Sequence, residues 1–332
     1  MLHDLSDHSA ANTDLLTHAP GLDADYRHVQ RIWRKLGGQP LHFNVPRLAR
    51  QLPTLEDAAR SIVSVQGREP DTLGVSFEDT EIDGPDSALP VRLYSRFRPE
   101  AVRPVILAFG PGHWVAGDVT RYDCVPRMLA HRTGALVVSV GVRQAPEHPF
   151  PAAHVDAWAA WRWLFGALPR FGGDARRVGL FGEAEGANLA LNVALKAKAA
   201  GLRQPVHTVL AAPIADPGAD HADPELIWST RHLLAEGAEP ADERLMLSQR
   251  DDLAGLGPVS LIAAAQDAAR VQAEALFAAL KQAGVSTEME TYEGVGSGFF
   301  RLGLVVTRSL FAQSHAATAF NAAFITARAR AA

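Results

Sequence analysis

Apolar residues in this chain gather in short runs that alternate with amphipathic stretches. Five runs are largely apolar, which is typical of strands buried on both faces: 104–109, 135–140, 177–181, 206–214 and 258–265. Between several of them, apolar positions recur every three or four residues, as in helices, near 154–168, 187–200 and 271–284. This alternation predicts an α/β fold with a mostly parallel central sheet flanked by helices.

The ends of the chain and one internal stretch depart from this alternation. The first 20 residues are polar and predicted to be frayed, whereas 21–60 carry a helical pattern that Gly37-Gly38 interrupts. Period-two alternation at 73–77 and 89–94, around the turn residues Asp-Gly-Pro at 83–85, predicts a hairpin. The core is predicted to span 61–332, with a polar excursion over the sheet at about 216–252 and a C-terminal helix at 307–330.

Composition and charge narrow the classes of function. With 332 residues, of which 47% are apolar, the chain can bury a large core. Its 32 basic and 37 acidic residues give a net charge of −5, which argues against a nucleic-acid partner. Cys124 is the only cysteine, so no intrachain disulfide forms. We find no signal peptide and no membrane span, and expect a soluble, cytoplasmic protein without a metal or cofactor.

One strand-to-helix junction carries a chemical signature. Residues 177–190 read RVGLFGEAEGANLA, in which Gly182 and Gly186 bracket three residues between an apolar run and a helical one. This is the frame of the nucleophile elbow, G-x-S-x-G, whose glycines let strand and helix approach and whose sharp turn exposes the central residue. The central residue here is Ala184, which has no proton to lose and cannot be a nucleophile.

Three further motifs accompany the elbow at matching spacings. They are FGPGHW at 109–114 followed by Gly117-Asp118, QAPEHPFPAA at 144–153, and GVGSGFF at 294–300. Together with the elbow they resemble the hormone-sensitive-lipase-like esterases, whose segments read FHGGGW with GD, LAPEHPFPAA, GxxHGF and, at the elbow, GDSAGGN. The resemblance extends from about residue 73 to the end of the chain. It implies an α/β-hydrolase fold with an N-terminal helical cap over 21–60.

The resemblance also implies a catalytic triad of serine, aspartate and histidine in that chain order. Aligned residue by residue, the nucleophile position is Ala184, the acid position is Asp267 and the base position is Ser297. A serine hydroxyl does not accept a proton at neutral pH as imidazole does, so only the acid is retained. Ordinary serine-esterase activity is therefore not expected. Asp267 is also suited to cap the helix predicted at 271–284.

The loop that would stabilise an oxyanion is altered as well. In place of the family's HGGG stand Gly110, Pro111, Gly112 and His113, and Glu185 follows the nucleophile position. The resemblance implies that the backbone N–H groups of Gly112, His113 and Glu185 are the donors of the oxyanion hole. Proline fixes its φ, and an ionised carboxylate at Glu185 would repel the charge that such a hole stabilises.

Five side chains are candidates for the lining of the pocket. They are His113, Trp114, Glu183, Glu185 and Ser297. The resemblance places Trp114 at the pocket mouth. The two glutamates that flank the elbow are expected either to pair with Arg143 or to be solvated.

These substitutions leave several functions open. The first is a pseudoenzyme that binds a small apolar or ester-like ligand, or a protein partner, without turnover. The second is a non-hydrolytic enzyme, a lyase or cyclase, that uses His113, Glu185 or Asp267 as acid and base. The third is a regulatory subunit that forms a homodimer, or a heterodimer with an active relative, through the last strand and the C-terminal helix. Residual esterase activity from Ser297 is the fourth.

Overall fold

A computed structural model describes residues 21–67, 73–96, 102–219, 223–235 and 240–330. The N-terminal segment predicted to be frayed, 1–20, lies outside these ranges. Within them, a central sheet is covered by helices on both faces. The predicted fold class, a mostly parallel sheet flanked by helices, is confirmed.

Eight strands in the described part of the chain form one sheet in the order β1-β2-β4-β3-β5-β6-β7-β8. Their bounds are β1 Val75–Asp83, β2 Ala88–Arg96, β3 Arg103–Phe109, β4 Leu136–Val140, β5 Gly173–Glu183, β6 Thr208–Ala211, β7 Val259–Ala264 and β8 Thr287–Tyr292. The pairs β1/β2 and β2/β4 are antiparallel, and the first of them is the predicted hairpin. All other pairs are parallel, so the carboxyl ends of β3 to β8 meet at one edge.

The helices precede the sheet or connect its strands. Their bounds are α1 Ala24–Lys35, α2 Pro46–Ala49, α3 Leu55–Val65, α4 Cys124–Thr133, α5 Ala152–Phe171, α6 Glu185–Ala199, α7 Pro224–Leu233, α8 Arg270–Gln282 and α9 Thr307–Ala329. Short 3-10 turns lie at Leu41–Phe43, Glu243–Leu245, Leu247–Gln249 and Phe299–Leu302. None of the helices in the described ranges combines the length and apolarity needed to cross a membrane.

Successive residues of the buried strands point into two separate cores. On β3, Val105 and Leu107 join the core that packs α5, α6, α7 and α8 against the sheet. Ile106 and Ala108, one position along, join the core formed with α1, α3, α4 and α9. Because neighbouring side chains on a strand point to opposite faces, a strand covered on both sides must be apolar at every position. This is why the runs read as continuous rather than alternating.

The structure differs from the predicted elements in several places. Strand β6 is shorter than the predicted 206–214, and β5 begins earlier than 177. The helical pattern at 21–60 is divided into α1, α2 and α3, because Gly37 has a φ of +90° and Thr54 starts a new helix with a capping box to Asp57.

The pattern analysis missed three elements: α4, α7 and β8. Strand β8 is an edge strand whose six residues are all partly or fully exposed, so it lacks the apolar run that marks the central strands. Strand β8 lies at the edge of the sheet, where the predicted dimer would form. Dimerisation through β8 and α9 stays a prediction. Phe311 on α9, 60% exposed, offers apolar surface there.

Candidate functional site

The backbone of the elbow is formed around Ala184. Strand β5 ends at Glu183 and α6 begins at Glu185, and the residue between them has φ 55° and ψ −119°. A Cβ on Gly182 would lie 2.2 Å from the carbonyl oxygen of Gly186, and one on Gly186 would lie 2.2 Å from that of Phe109. Only glycine fits at either position, as the elbow motif predicts.

The turn holds Ala184 in a costly conformation. Positive φ with strongly negative ψ is unfavourable for any residue with a Cβ, at about 1–3 kcal/mol. Its N–H donates to the carbonyl of Ala211 at 2.9 Å, and its own carbonyl accepts from Ile214 at 3.1 Å. These bonds to the last residue of β6 and to the chain just after it fix the turn, and a methyl group stands at its centre.

The loop after β3 also keeps a tight turn, although three of its four family residues differ. Gly112 has a φ of +154°, and a Cβ there would lie 2.1 Å from the N atom of Gly117. His113 and Trp114 follow with φ of +54° and +57°, which is rare for bulky residues. The backbone N–H groups of the next two residues both donate to the carbonyl of Gly112. Pro111 is therefore compatible with the tight turn of this loop.

The carboxyl group of Glu185 lies against that loop. Glu185 is only 4% exposed, and its burial raises the pKa of the carboxyl to about 6. His113 and the backbone N–H groups of Glu185, His113 and Trp114 act on it in the opposite direction, because they favour the ionised form. Two of these N–H groups, those of His113 and Glu185, are among the three oxyanion donors that the resemblance implies. A carboxyl of this chain thus faces donors that an esterase would offer to its substrate.

Three buried polar atoms around this carboxyl have no hydrogen-bond partner among the described residues. They are Oε2 of Glu185, Nδ1 of His113 and Nε1 of Trp114. Trp114 is 2% exposed, and its position at a pocket mouth stays a prediction. It is buried because its left-handed backbone turns the chain inward, where its carbonyl accepts from the N–H of Ala145 at 2.9 Å.

Behind the loop lies a small cavity of about 40 Å³. Glu185, Trp114, Tyr122 and Gln144 contribute to its wall. Trp114 therefore lines a cavity, but its wall includes the exposed Asp118 and includes none of Ala184, His113 and Ser297.

Asp267 follows β7 at the same edge of the sheet. Burial, reinforced by the charges of Asp223 and Glu225, raises the pKa of its carboxyl to about 6. The N–H of Ala269, which donates to Oδ1 at 2.9 Å, and the imidazole of His113 act in the opposite direction and lower that pKa. The N-cap residue of α8 is Ala269, so Asp267 stabilises the turn before the helix and the N-cap prediction is wrong. The imidazole of His113 acts electrostatically on the carboxyls of both Asp267 and Glu185 and lowers the pKa of each.

Ser297, which the resemblance places at the base position, is exposed, although the residues on both sides of it between β8 and α9 are buried. Its carbonyl oxygen accepts a hydrogen bond from the hydroxyl of Tyr26 at 2.8 Å, so α1 holds this turn from the N-terminal segment. Its hydroxyl lacks the proton affinity of the imidazole that the resemblance implies at this position.

Glu183, on the other side of Ala184, lies beneath the elbow rather than in the pocket. It is 1% exposed; its Oε1 accepts from Nε of Arg301 at 2.9 Å and its Oε2 from the hydroxyl of Tyr122 at 2.7 Å. The predicted alternatives, pairing with Arg143 or solvation, are both wrong. Arg143 is held by the buried Asp156 at 2.8 Å and by Asp86.

Several residues of the site carry no sequence signal that points to it. Arg301 lies 118 positions from Glu183, in the 3-10 turn after the base position, and Tyr122 precedes α4. Asp223 was recognisable only as an N-cap before Pro224, where it accepts the N–H of Glu225 at 2.9 Å. Glu225 in turn accepts the N–H of Leu41 at 2.7 Å, which joins α7 to the N-terminal segment.

Metal coordination has no evident place in this arrangement. Within the described ranges, no three His, Cys, Asp or Glu side chains cluster so as to hold a metal ion.

Comparisons with known proteins agree with the geometry of the elbow and the loop. A family described as alpha/beta hydrolase fold matches residues 106–301, more than half of the chain, and the protein belongs to it. The chain is similar to the carboxylic ester hydrolase LipN of Mycobacterium tuberculosis, with 30% identity over 69% of this chain and 65% of LipN. It is 39% identical to the gibberellin receptor GID1 of Oryza sativa subsp. japonica, over 30% of this chain and 29% of the receptor.

A solved structure extends the relationship to most of the chain. The crystal structure of a serine-to-alanine mutant of LAE6, an alpha/beta hydrolase enzyme from the metagenome of Lake Arreo, Spain, superposes with a TM-score of 0.80. The match has 26% sequence identity and covers 91% of this chain and 98% of LAE6. The protein is thus an esterase/lipase-type α/β-hydrolase by family, and its own activity is a separate question.

Proposed function

We propose that this protein is a pseudoenzyme of the esterase type, which binds a small ligand in the former active site without hydrolysing an ester. The observation that carries the proposal is the pair of neighbours Ala184 and Glu185. A methyl group stands where the nucleophile is needed, and a buried carboxyl faces the loop N–H groups that would stabilise an oxyanion.

The magnitudes favour loss of hydrolysis over slow hydrolysis. In triad enzymes, removing the serine or the histidine alone costs on the order of a million-fold in turnover. The residual rate, roughly a thousand-fold over water, depends on binding and on the oxyanion hole. In this chain the oxyanion hole faces a negative side chain whenever Glu185 is ionised, so the residual rate of hydrolysis is lowered as well.

The relatives support a binding role as a realistic alternative to catalysis. LipN is named as an ester hydrolase and GID1 as a receptor. Similar sequences thus serve turnover in one protein and recognition in another. Retention of the glycines at the elbow fits either role, because they shape the pocket whether or not a bond is broken.

Hydrolysis of p-nitrophenyl butyrate tests the proposal directly. The wild-type protein is expected to match the buffer blank between pH 6 and pH 9. Asp267→Asn serves as the matched variant, since Asp267 is the one triad position that keeps its family residue. A wild-type rate above the blank that Asp267→Asn abolishes would overturn the proposal.

A second candidate, non-hydrolytic acid–base chemistry, has one observation in its favour. The carboxyls of Glu185 and Asp267 both have a pKa raised to about 6, and both face His113. Groups that titrate near neutral pH are suited to proton transfer. Deuterium incorporation at the α-carbon of ethyl phenylacetate in D₂O, lost in His113→Asn, would support this candidate. No exchange above the blank would count against it.

A further inference from the structure

The charges around Ala184 are opposite to those that an esterase site presents to its substrate. The His113 imidazole interacts electrostatically with the carboxyls of both Glu185 and Asp267. Asp223 and Glu225, at the start of α7, add negative charge near Asp267. An esterase stabilises a developing anion in this place, whereas this arrangement favours a cation.

The Glu185 carboxyl also lacks a hydrogen-bond partner that a ligand could supply. Its Oε2 is buried and has no donor among the described residues. A buried carboxylate oxygen without a donor is unfavourable, and a charged donor satisfies it best. The neighbouring N–H groups of the loop already face this side chain, and Glu185 also lines a cavity from which a ligand can supply the missing donor.

The size of the cavity limits that donor. The space that Glu185 and Trp114 line measures about 40 Å³. This is room for about two or three water-sized groups. A primary ammonium with its first carbon fits such a space, whereas a trimethylammonium group does not. The indole of Trp114 and the phenol of Tyr122 add aromatic surface, which a cation tolerates well.

From these observations we infer that the cavity behind the loop after β3, next to the former active site, binds the protonated head of a primary amine, with Glu185 as its direct partner and Asp267 as a carboxylate outside the cavity wall. This inference rests on the proposed function, since it takes the site as one for binding rather than hydrolysis. It replaces the broad class of apolar or ester-like ligands with a cationic one.

Calorimetry with four six-carbon probes tests the inference on the full chain at pH 8. The probes are n-hexylamine, 1-hexanol, sodium hexanoate and hexyltrimethylammonium. Alkylamines are protonated at this pH, as lysine is. Hexylamine is expected to bind at least about tenfold more tightly than hexanol, because a charged donor reaches Glu185. Hexanoate and the trimethylammonium probe are expected to bind more weakly than hexanol, through repulsion and through size respectively.

Variants assign the effect to one side chain. Glu185→Gln is expected to weaken hexylamine binding by about 10- to 100-fold and to leave hexanol unchanged. Asp267→Asn is expected to give a smaller loss, of about threefold. Asp251→Asn is the matched control, because Asp251 is exposed and its substitution removes the same charge elsewhere. It should leave the binding of all four probes unchanged.

A pH titration of the wild type decides the matter should Glu185→Gln fail to fold. Both carboxyls take up protons as the pH falls through about 6, so hexylamine affinity should fall about tenfold or more between pH 8 and pH 5. The groups facing them are His113, Asp223, Glu225 and Tyr26. The decline should persist in His113→Asn, since asparagine tolerates the left-handed backbone at this position.

Equal affinity for hexylamine and hexanol would overturn the inference. An affinity for hexylamine that changes neither with pH nor in the Glu185→Gln variant would overturn it as well. Such a result would mean that water satisfies Glu185. The outcome is distinguishable from failure of the proposed function. Hexylamine has no ester bond, so its binding is measured independently of any hydrolysis of p-nitrophenyl butyrate.

Discussion

The two glutamates on either side of Ala184 are both buried, yet they occupy contrasting environments. Glu183 is fully engaged by Arg301 and Tyr122 beneath the elbow. Glu185 keeps one carboxylate oxygen for which the described residues provide no hydrogen-bond partner. Burial of a charge is tolerated when it is paired and hydrogen-bonded, and otherwise disfavoured. The comparison separates a carboxylate that supports the fold from one that we propose binds a ligand.

Removal of the two side chains should therefore have very different effects on stability. Glu183→Ala is expected to lower the free energy of unfolding by about 3 kcal/mol, because it leaves the Arg301 guanidinium and the Tyr122 hydroxyl without their partner. Glu185→Ala is expected to change it by less than about 1 kcal/mol. Urea unfolding of both variants beside the wild type measures the difference, and equal losses would show that the two environments are not distinct.

The effect of Glu185 on ester hydrolysis provides a second test of the comparison. Ala184→Ser combined with Ser297→His restores the two missing triad groups but keeps Glu185 beside the oxyanion donors. Adding Glu185→Ala should raise the rate of p-nitrophenyl butyrate hydrolysis by about 100-fold, the scale of one oxyanion interaction. The same addition to Ala184→Ser alone, which lacks the base, is the control and should give no increase. If the double and triple variants react equally fast, Glu185 does not obstruct the hole.

The raised pKa of the Glu185 carboxyl should make the free energy of unfolding depend on pH. Its pKa is raised from 4.5 to about 6 in the folded protein, so the folded state holds its proton more tightly. Stability is then greatest below pH 4.5 for this group and declines as the pH rises through 6. Glu185→Gln should be more stable than the wild type by up to about 2 kcal/mol at pH 8 and equal to it at pH 4. Thermal unfolding at both values measures this, and a variant that is less stable at pH 8 would contradict it.

The smallest expected effect concerns the residue between the glutamates. Ala184→Gly should raise the free energy of unfolding by about 1 kcal/mol, because glycine adopts φ 55° and ψ −119° without a Cβ clash. Ala322→Gly, on the exposed side of α9, is the matched control and should lower it by about 1 kcal/mol. A loss of stability in Ala184→Gly would mean that the methyl group packs better than the backbone is strained.

The sequence predicts the fold well because the central strands are buried on both faces. Runs such as 104–109 must then be apolar throughout, which a pattern analysis detects. Strand β8 escapes the same analysis because it lies at the sheet edge and has no fully buried residue. The helical segment before the core was recognised, but its division into three helices depends on one glycine turn and one capping box.

The site was predictable only where backbone geometry dictates the residue. Gly182 and Gly186 must be glycine because carbonyl oxygens lie 2.2 Å from any Cβ, so the elbow is visible in the sequence. The partner of Glu183 was not, since Arg301 is distant in the chain and Arg143 was already bound to Asp156. Nor does sequence spacing show that Trp114 turns inward, which follows from two successive residues with positive φ.

The turn at Ala184 bears on how such junctions originate. Its geometry survives where no reacting atom benefits from it, and the bonds that impose it come from Ala211 and Ile214. The bend is thus set by the assembly of neighbouring strands rather than by selection on chemistry at that point. A descendant of this chain could acquire a serine there and find it already presented, which makes the elbow an inherited starting point for evolution in either direction.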